Sequence, residues 1–148
     1  MSVSVILALL AVALGGVAIA IQAPINGTLS RGLGDPVLAA AASFAVGLIA
    51  LAALAIFRST WPSLAEARSL PWWVWSGGLL GAFYVWAAVW SVGTIGVVSL
   101  VAALIFGQLT AALVIDAIGA FGVTQRPIDL TRIAAVALVG AGLVLSRV

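Results

Sequence analysis

The chain contains no cysteine and no histidine. The first absence removes disulfides and thiol chemistry, and the two together leave no ordinary transition-metal site, so no cofactor is expected. Lysine is missing as well: the positive charge rests on six arginines set against four Asp or Glu, and charged residues make up only 7% of the sequence. So few charges cannot cover a water-soluble domain of 148 residues. A sequence pI near 10.6 would suggest nucleic acid as the partner of a soluble protein, but these arginines are scattered singly and no nucleic-acid partner is expected. A Gly-rich phosphate loop with its Lys is absent too, which excludes ATP-driven transport by this chain alone.

What is present is apolar. Hydrophobic residues make up 65% of the chain and its mean hydropathy is +1.34. A bilayer core about 30 Å thick is crossed by roughly 20 helical residues. On that measure the sequence reads as an all-α integral membrane protein, one transmembrane domain over 1–148 with five transmembrane helices near 3–23, 36–57, 71–90, 97–121 and 131–146. The first run has no Lys or Arg ahead of it and is longer than a signal h-region, so it is expected to be a mature helix. Pro24 is expected to stop or kink that helix. Pro36 suits a helix start and Arg58 ends the second run. The linker from Arg58 to Leu70 is the longest polar stretch. From Ser69 to Ile115 no charge occurs, and as one helix this stretch would be about 70 Å long. It must therefore fold back, and Ser91-Val-Gly93-Thr94-Ile-Gly96 is where it can. The last span lies between Arg132 and Arg147, roughly 22 Å apart, so both are expected to snorkel outward.

Five spans put the termini on opposite sides of the membrane. With the N-terminus inside, Arg58, Arg68, Arg126 and Arg132 are cytoplasmic and Arg31 and Arg147 are not, a bias of two charges. Either one weakly signalled orientation or insertion both ways, with antiparallel pairing, is compatible with it. Close helix pairing is expected at Gly16 and Ala20, at Gly77 and Gly81, and along Ala134, Ala137 and Ala141 with Gly140 and Gly142.

The polar side chains within the apolar runs are few. Gln22 and Asn26 are four residues apart and share a helix face if the helix survives Pro24, or line a broken end if it does not. Ser43 is the one polar side chain of the second span. Gln108 lies mid-span in the fourth, within about 80° of Asp116 on the helical wheel. These residues can line a solute cavity; alternatively they bond neighbouring helices, at about 0.6–2 kcal/mol each. Tyr84, Trp86 and Trp90 form an aromatic stripe that suits either packing or a planar or cationic solute. Trp72, Trp73 and Trp75 read as interface belt. Asp116 is the only acid within the apolar runs, which makes it a functional candidate. It lies about 10 Å from the middle of its span, however, where it can pair with Arg126 or Arg132 as an anchor or serve as a proton carrier.

Taken in order, Gln22-Ala-Pro24-Ile-Asn26, Ser43-Phe44-Ala-Val-Gly47, Pro71-Trp72-Trp73 with Gly77-Gly78 and Gly81, and Gly107-Gln108 through Asp116 to Gly119 and Phe121-Gly122 form a pattern. The chain resembles, over nearly its full length, the YdcZ-like family of five-helix bacterial membrane proteins in the drug/metabolite transporter superfamily. The resemblance implies a half-size transporter of the bacterial cytoplasmic (inner) membrane. Such halves pair in opposite orientation, as two copies of one chain or as two sister chains. The motif residues carried over are Gln22, Pro24, Asn26, Ser43, Gly107, Gln108, Asp116 and Gly122. The pattern departs at Ala117 and Ala135. The first span also has no acid, so the glutamate-based proton exchange of the small multidrug exporters does not carry over.

The leading expectation is a secondary transporter or exporter of a small, neutral or weakly charged organic solute, alternating its access in a dual-topology homodimer. Gln22, Asn26, Ser43, Tyr84, Trp86 and Gln108 would line its cavity, with Asp116 as a proton-carrying or structural acid. A passive solute channel and a non-transporting subunit of a membrane complex are the alternatives. An enzyme is not expected, because no nucleophile–base or carboxylate pair converges.

Overall fold

The computed structural model describes residues 3–60 and 62–148. Their secondary structure is helical: α1 (Val3–Leu33), α2 (Pro36–Phe57), α3 (Leu64–Ser69), a 3-10 turn (Trp72–Trp75), α4 (Ser76–Ile118), a second 3-10 turn (Ala120–Gly122) and α5 (Leu130–Leu145). Three stretches, Val3–Leu33, Pro36–Phe57 and Trp72–Ile118, are long and apolar enough to cross a membrane, and Leu130–Leu145 is a shorter apolar helix. The chain divides into two compact units, Met1–Gly93 and Thr94–Val148.

In the first unit α1 does not end at Pro24 but runs on to Leu33. Pro24 removes one amide from the helical ladder, yet the residues that follow it are held from outside: Ala23, Asn26 and Gly27 are all buried. Packing of that face outweighs the one lost bond. The helix closes at Gly34, whose φ of +77° favours glycine and whose N–H donates to the Ser30 carbonyl at 2.8 Å. Asp35 then accepts from the Leu38 N–H at 2.8 Å, with Pro36 in the first turn of α2. Two residues thus reverse the chain, and α1 and α2 pack as an antiparallel pair.

The core of this unit is made of small residues. Ala39, Ala40, Val85 and Val89 form its buried cluster, with Tyr84 and Trp86 packed on it. Small side chains let helices approach closely, which is what association in lipid requires. At Gly27 an added Cβ would sit 3.0 Å from Val92 Cγ1. The large apolar side chains point the other way: Leu7, Leu10, Leu14, Leu48, Ile49 and Leu51 are all exposed.

The linker carries α3, whose ends are set by a capping box. Ser63 Oγ accepts from the Glu66 N–H at 3.1 Å, and the Glu66 carboxylate accepts from the Ser63 N–H at 2.9 Å. The backbone bond from Ser63, and secondly its side-chain bond, hold Glu66 below its ordinary value. A depressed pKa means that the stabilisation is present above the ordinary carboxylate range and is lost as pH falls through the lowered value. We expect the Ser63 amide resonance to move upfield on acidification in that range; a Ser63 signal unmoved by pH would contradict the box.

α4 is interrupted at Gly96, whose backbone is non-helical (φ 76°, ψ 166°). The second unit begins at Thr94, just ahead of the break, and contains the rest of α4 together with α5. The carbonyls left open where α4 ends are satisfied from the loop that follows. Gln125 Nε2 donates to the Ala117 carbonyl at 2.7 Å, and the Arg126 N–H to the Asp116 carbonyl at 2.8 Å. Asp129 caps α5 by accepting from the Arg132 N–H at 2.8 Å. Phe106 lies on Gly140, where an added Cβ would be 3.0 Å from the ring. The arginines in the first turn of α5 and just past its end bond to α4: Arg132 to the Asp116 carboxylate, and Arg147 Nη1 to the Ile95 carbonyl at 3.3 Å, a group close to the break.

Candidate functional site

Because α1 stays helical through Pro24, Gln22 and Asn26 lie one turn apart on one face, and the antiparallel hairpin brings Ser43 of α2 against them. Gln22 Nε2 donates to Ser43 Oγ at 3.3 Å and Asn26 Nδ2 to the same oxygen at 3.2 Å. A serine oxygen has two acceptor sites, and here both are filled by amide N–H groups. The three side chains are half-buried or buried, with Asn26 only 5% exposed.

Three openings surround this cluster. A recess of about 10 Å³, room for about one water, is lined by Gln22, Asn26 and Tyr84 against Ile19, Ala23, Val85, Ala88 and Val89. A groove of about 320 Å³ runs past Gln22 and Ser43 along Phe44, Gly47, Leu48 and Leu51. A wider groove of about 700 Å³ between α1 and α2 has Gln22, Asn26 and Ser43 among walls that include Ile21, Ile25 and Val46. The chemistry is thus a small uncharged hydrogen-bonding patch set in apolar surroundings. Among the described residues no group of three or more His, Cys, Asp or Glu is placed to hold a metal.

Of the residues singled out in the sequence, Gln22, Asn26, Ser43 and Tyr84 come together here. Trp86 packs on the core cluster and lies near Phe83, with ring centroids 5.8 Å apart, and stacks on Trp90 at 6.1 Å with 12° between the planes. It lines a further opening of about 500 Å³ with Phe44, Leu79 and Leu80 rather than the polar recess. Gln108 and Asp116 belong to the second unit. There Gln108 is exposed, and Asp116 is ion-paired with Arg132, both side chains being rather more than a quarter exposed. Of the two arginines offered to Asp116 in the sequence, Arg132 supplies the guanidinium and Arg126 only its backbone N–H.

Two groups of residues were not singled out. The apolar wall of the recess, Val85, Ala88 and Val89, is legible only as a three-and-four spacing on α4. Ser99 and Ser146, exchanging hydrogen bonds at 3.1 Å through Oγ, Oγ and the Ser146 carbonyl, join α4 to the end of α5. Serines near span ends gave no spacing from which to infer that pair.

A family model described as "Putative inner membrane exporter, YdcZ" matches residues 7–145. Inner membrane protein YdcZ of Escherichia coli (strain K12) is 31% identical over 104 residues, 69% of this chain and 70% of that protein. No solved structure matches the chain. With three helices long and apolar enough to span a bilayer, the protein is a multi-pass inner membrane protein. A match that runs from residue 7 to residue 145 leaves little of the sequence outside it, and the chain belongs to the YdcZ family of inner membrane proteins.

Proposed function

We propose that the protein is a secondary transporter that exports a small, neutral or weakly charged organic solute, working by alternating access as an antiparallel homodimer. The observation that carries this reading is the cluster of Gln22, Asn26 and Ser43. Three uncharged polar groups converge at the edge of apolar grooves, while the one acid within a membrane-length helix, Asp116, is balanced by Arg132. A cation carrier would instead need a free buried carboxylate to balance its cargo. Tyr84 extends the same lining, and Trp86 lines the neighbouring apolar opening with Phe44.

The pairing follows from size. The recess at the cluster is about 10 Å³, too small for any organic solute. The grooves of about 320 and 700 Å³ are large enough but open, so a solute held away from lipid needs another surface to close them. A second copy in opposite orientation supplies that surface, with the solute near the middle of the membrane. With the five spans read from the sequence, the termini would lie on opposite faces and an inverted copy would be the complementary half.

Protein-dependent uptake into reconstituted vesicles, screened over polar metabolites and hydrophobic amines, tests the proposal. We expect saturable flux of a neutral solute, reduced at least tenfold by Gln22→Ala in protein that still runs as a dimer. Absence of flux for every class from a folded dimer would count against transport. A reporter active on one side only, fused in turn to each terminus, tests the pairing: one exclusive orientation would sink it.

A further inference from the structure

Gln22 lines all three openings around the cluster, sharing the recess with Asn26 and Tyr84, one groove with Ser43 and the widest with both partners. What these side chains still have to offer is countable. Each amide donates once to Ser43, so each keeps its carbonyl oxygen and one N–H, and Ser43 keeps its O–H. Asn26 is only 5% exposed, and its carbonyl oxygen has no partner among the described residues although it is not sealed from the cavities that Asn26 lines.

From this inventory we infer that the cluster selects its solute by an uncharged group that both donates and accepts hydrogen bonds, a carboxamide or a hydroxyl carried on a small apolar body. An ammonium group would meet two carbonyl oxygens but also three donors, with no carboxylate to balance it. A carboxylate would find the donors but no cation. Arg31, on the same helix, is exposed and donates to Thr28 Oγ1 at 2.9 Å, and Thr28 in turn donates to the Pro24 carbonyl. A group that only accepts would leave the two carbonyl oxygens unpaired, and buried polar atoms without partners are costly. The body of the solute fits the apolar walls of the grooves, where Ile21, Ile25, Leu48 and Leu51 stand. Gln22 is the specificity-determining residue because it alone reaches each opening.

This inference rests on the transport reading for the site, so its test measures binding apart from flux. Four probes of near-equal size are titrated into the full-length protein in detergent: hexanamide, methyl pentanoate, hexanoate and hexylammonium. Hexanamide is expected to bind at least tenfold more tightly than the ester or either ion, the discrimination typical of a site whose polar groups are left unpaired by the wrong ligand. Gln22→Leu should bring amide and ester to within about twofold of each other, a tenfold preference being only about 1.4 kcal/mol. Gln22→Glu, which a folding defect cannot mimic, should move the preference toward hexylammonium as pH is raised and the carboxyl ionises. Ser43→Ala, a smaller change, should weaken hexanamide while sparing the ester. The inference is overturned if hexanamide does not bind, if the wild-type protein prefers an ion or treats amide and ester alike, or if folded Gln22→Leu protein keeps the preference. Selective binding without protein-dependent flux in vesicles would instead remove the transport reading and leave this one standing, and flux without selectivity would do the reverse.

Discussion

Replacing Gly96 with valine is expected to cost the fold about 1–3 kcal/mol, while replacing Gly93, three residues earlier, with alanine costs nothing. Gly96 has φ 76° and ψ 166°, a region open to glycine and closed to residues with a Cβ, most of all a β-branched one. Gly93 is exposed, its φ is not positive, and an added Cβ there meets nothing within 4 Å. Alanine at 93 should raise stability slightly, because glycine within a helix is worth about 0.5–1 kcal/mol less than alanine. The valine variant has two ways out. It can hold the strained break, or it can straighten α4 into one helix of 43 residues, about 65 Å and twice the thickness of a bilayer core. Straightening would also remove the open carbonyl at Ile95 that Arg147 now engages. Thermal unfolding of the two variants in detergent, with the yield of membrane-inserted protein, separates them. Equal melting of Gly96→Val and Gly93→Ala would show that the break does not depend on the glycine.

The position of that break shows what kind of information the sequence carried. An uncharged stretch of 47 residues had to turn because of its length, and two glycines marked the region, but only the backbone angles distinguish Gly96 from Gly93. Helix starts were more legible than helix ends. Asp35 before Pro36 and Asp129 before Leu130 are side-chain caps whose chemistry is local, whereas Pro24 is a local stop signal overridden by burial of Ala23, Asn26 and Gly27, which no window of sequence contains. The same holds for the polar cluster. The four-residue spacing of Gln22 and Asn26 was visible, but their convergence on one oxygen of Ser43, seventeen residues beyond the nearer donor, depends on the two-residue reversal at Gly34 and Asp35 between them. The arginines near the two ends of α5 show the limit in another way. Charges near both ends of the helix were visible, but that Arg132 bonds to Asp116 and to the Pro127 carbonyl, and Arg147 to the Ile95 carbonyl, depends on acceptors outside α5.

Removing the guanidinium from Arg132 is expected to destabilise the second unit more than removing both charges together. With Arg132→Met, the Asp116 carboxylate keeps its place beside the end of α4 without a counter-charge. Breaking a fully buried pair costs about 3–5 kcal/mol and an exposed one about 0–1. Side chains 28% and 29% exposed fall between, at about 1–3 kcal/mol. The double variant Asp116→Asn with Arg132→Gln leaves two neutral amides and no charge behind, so its melting temperature in detergent should return most of the way to that of the unmodified protein. The loop helps: the Arg126 N–H and Gln125 Nε2 still hold the carbonyls of Asp116 and Ala117, so the end of α4 stays tied down when both charges are gone. The same pair of variants separates the two roles open to the acid. As an anchor, Asp116 is needed only because Arg132 is there, and vesicle flux lost in Arg132→Met should return in the double variant. As a proton carrier it has no substitute in asparagine, and flux would stay lost however well the double variant folds. Flux restored to at least half the original rate would assign Asp116 to the framework, and a well-folded double variant without flux would move it to the transport step.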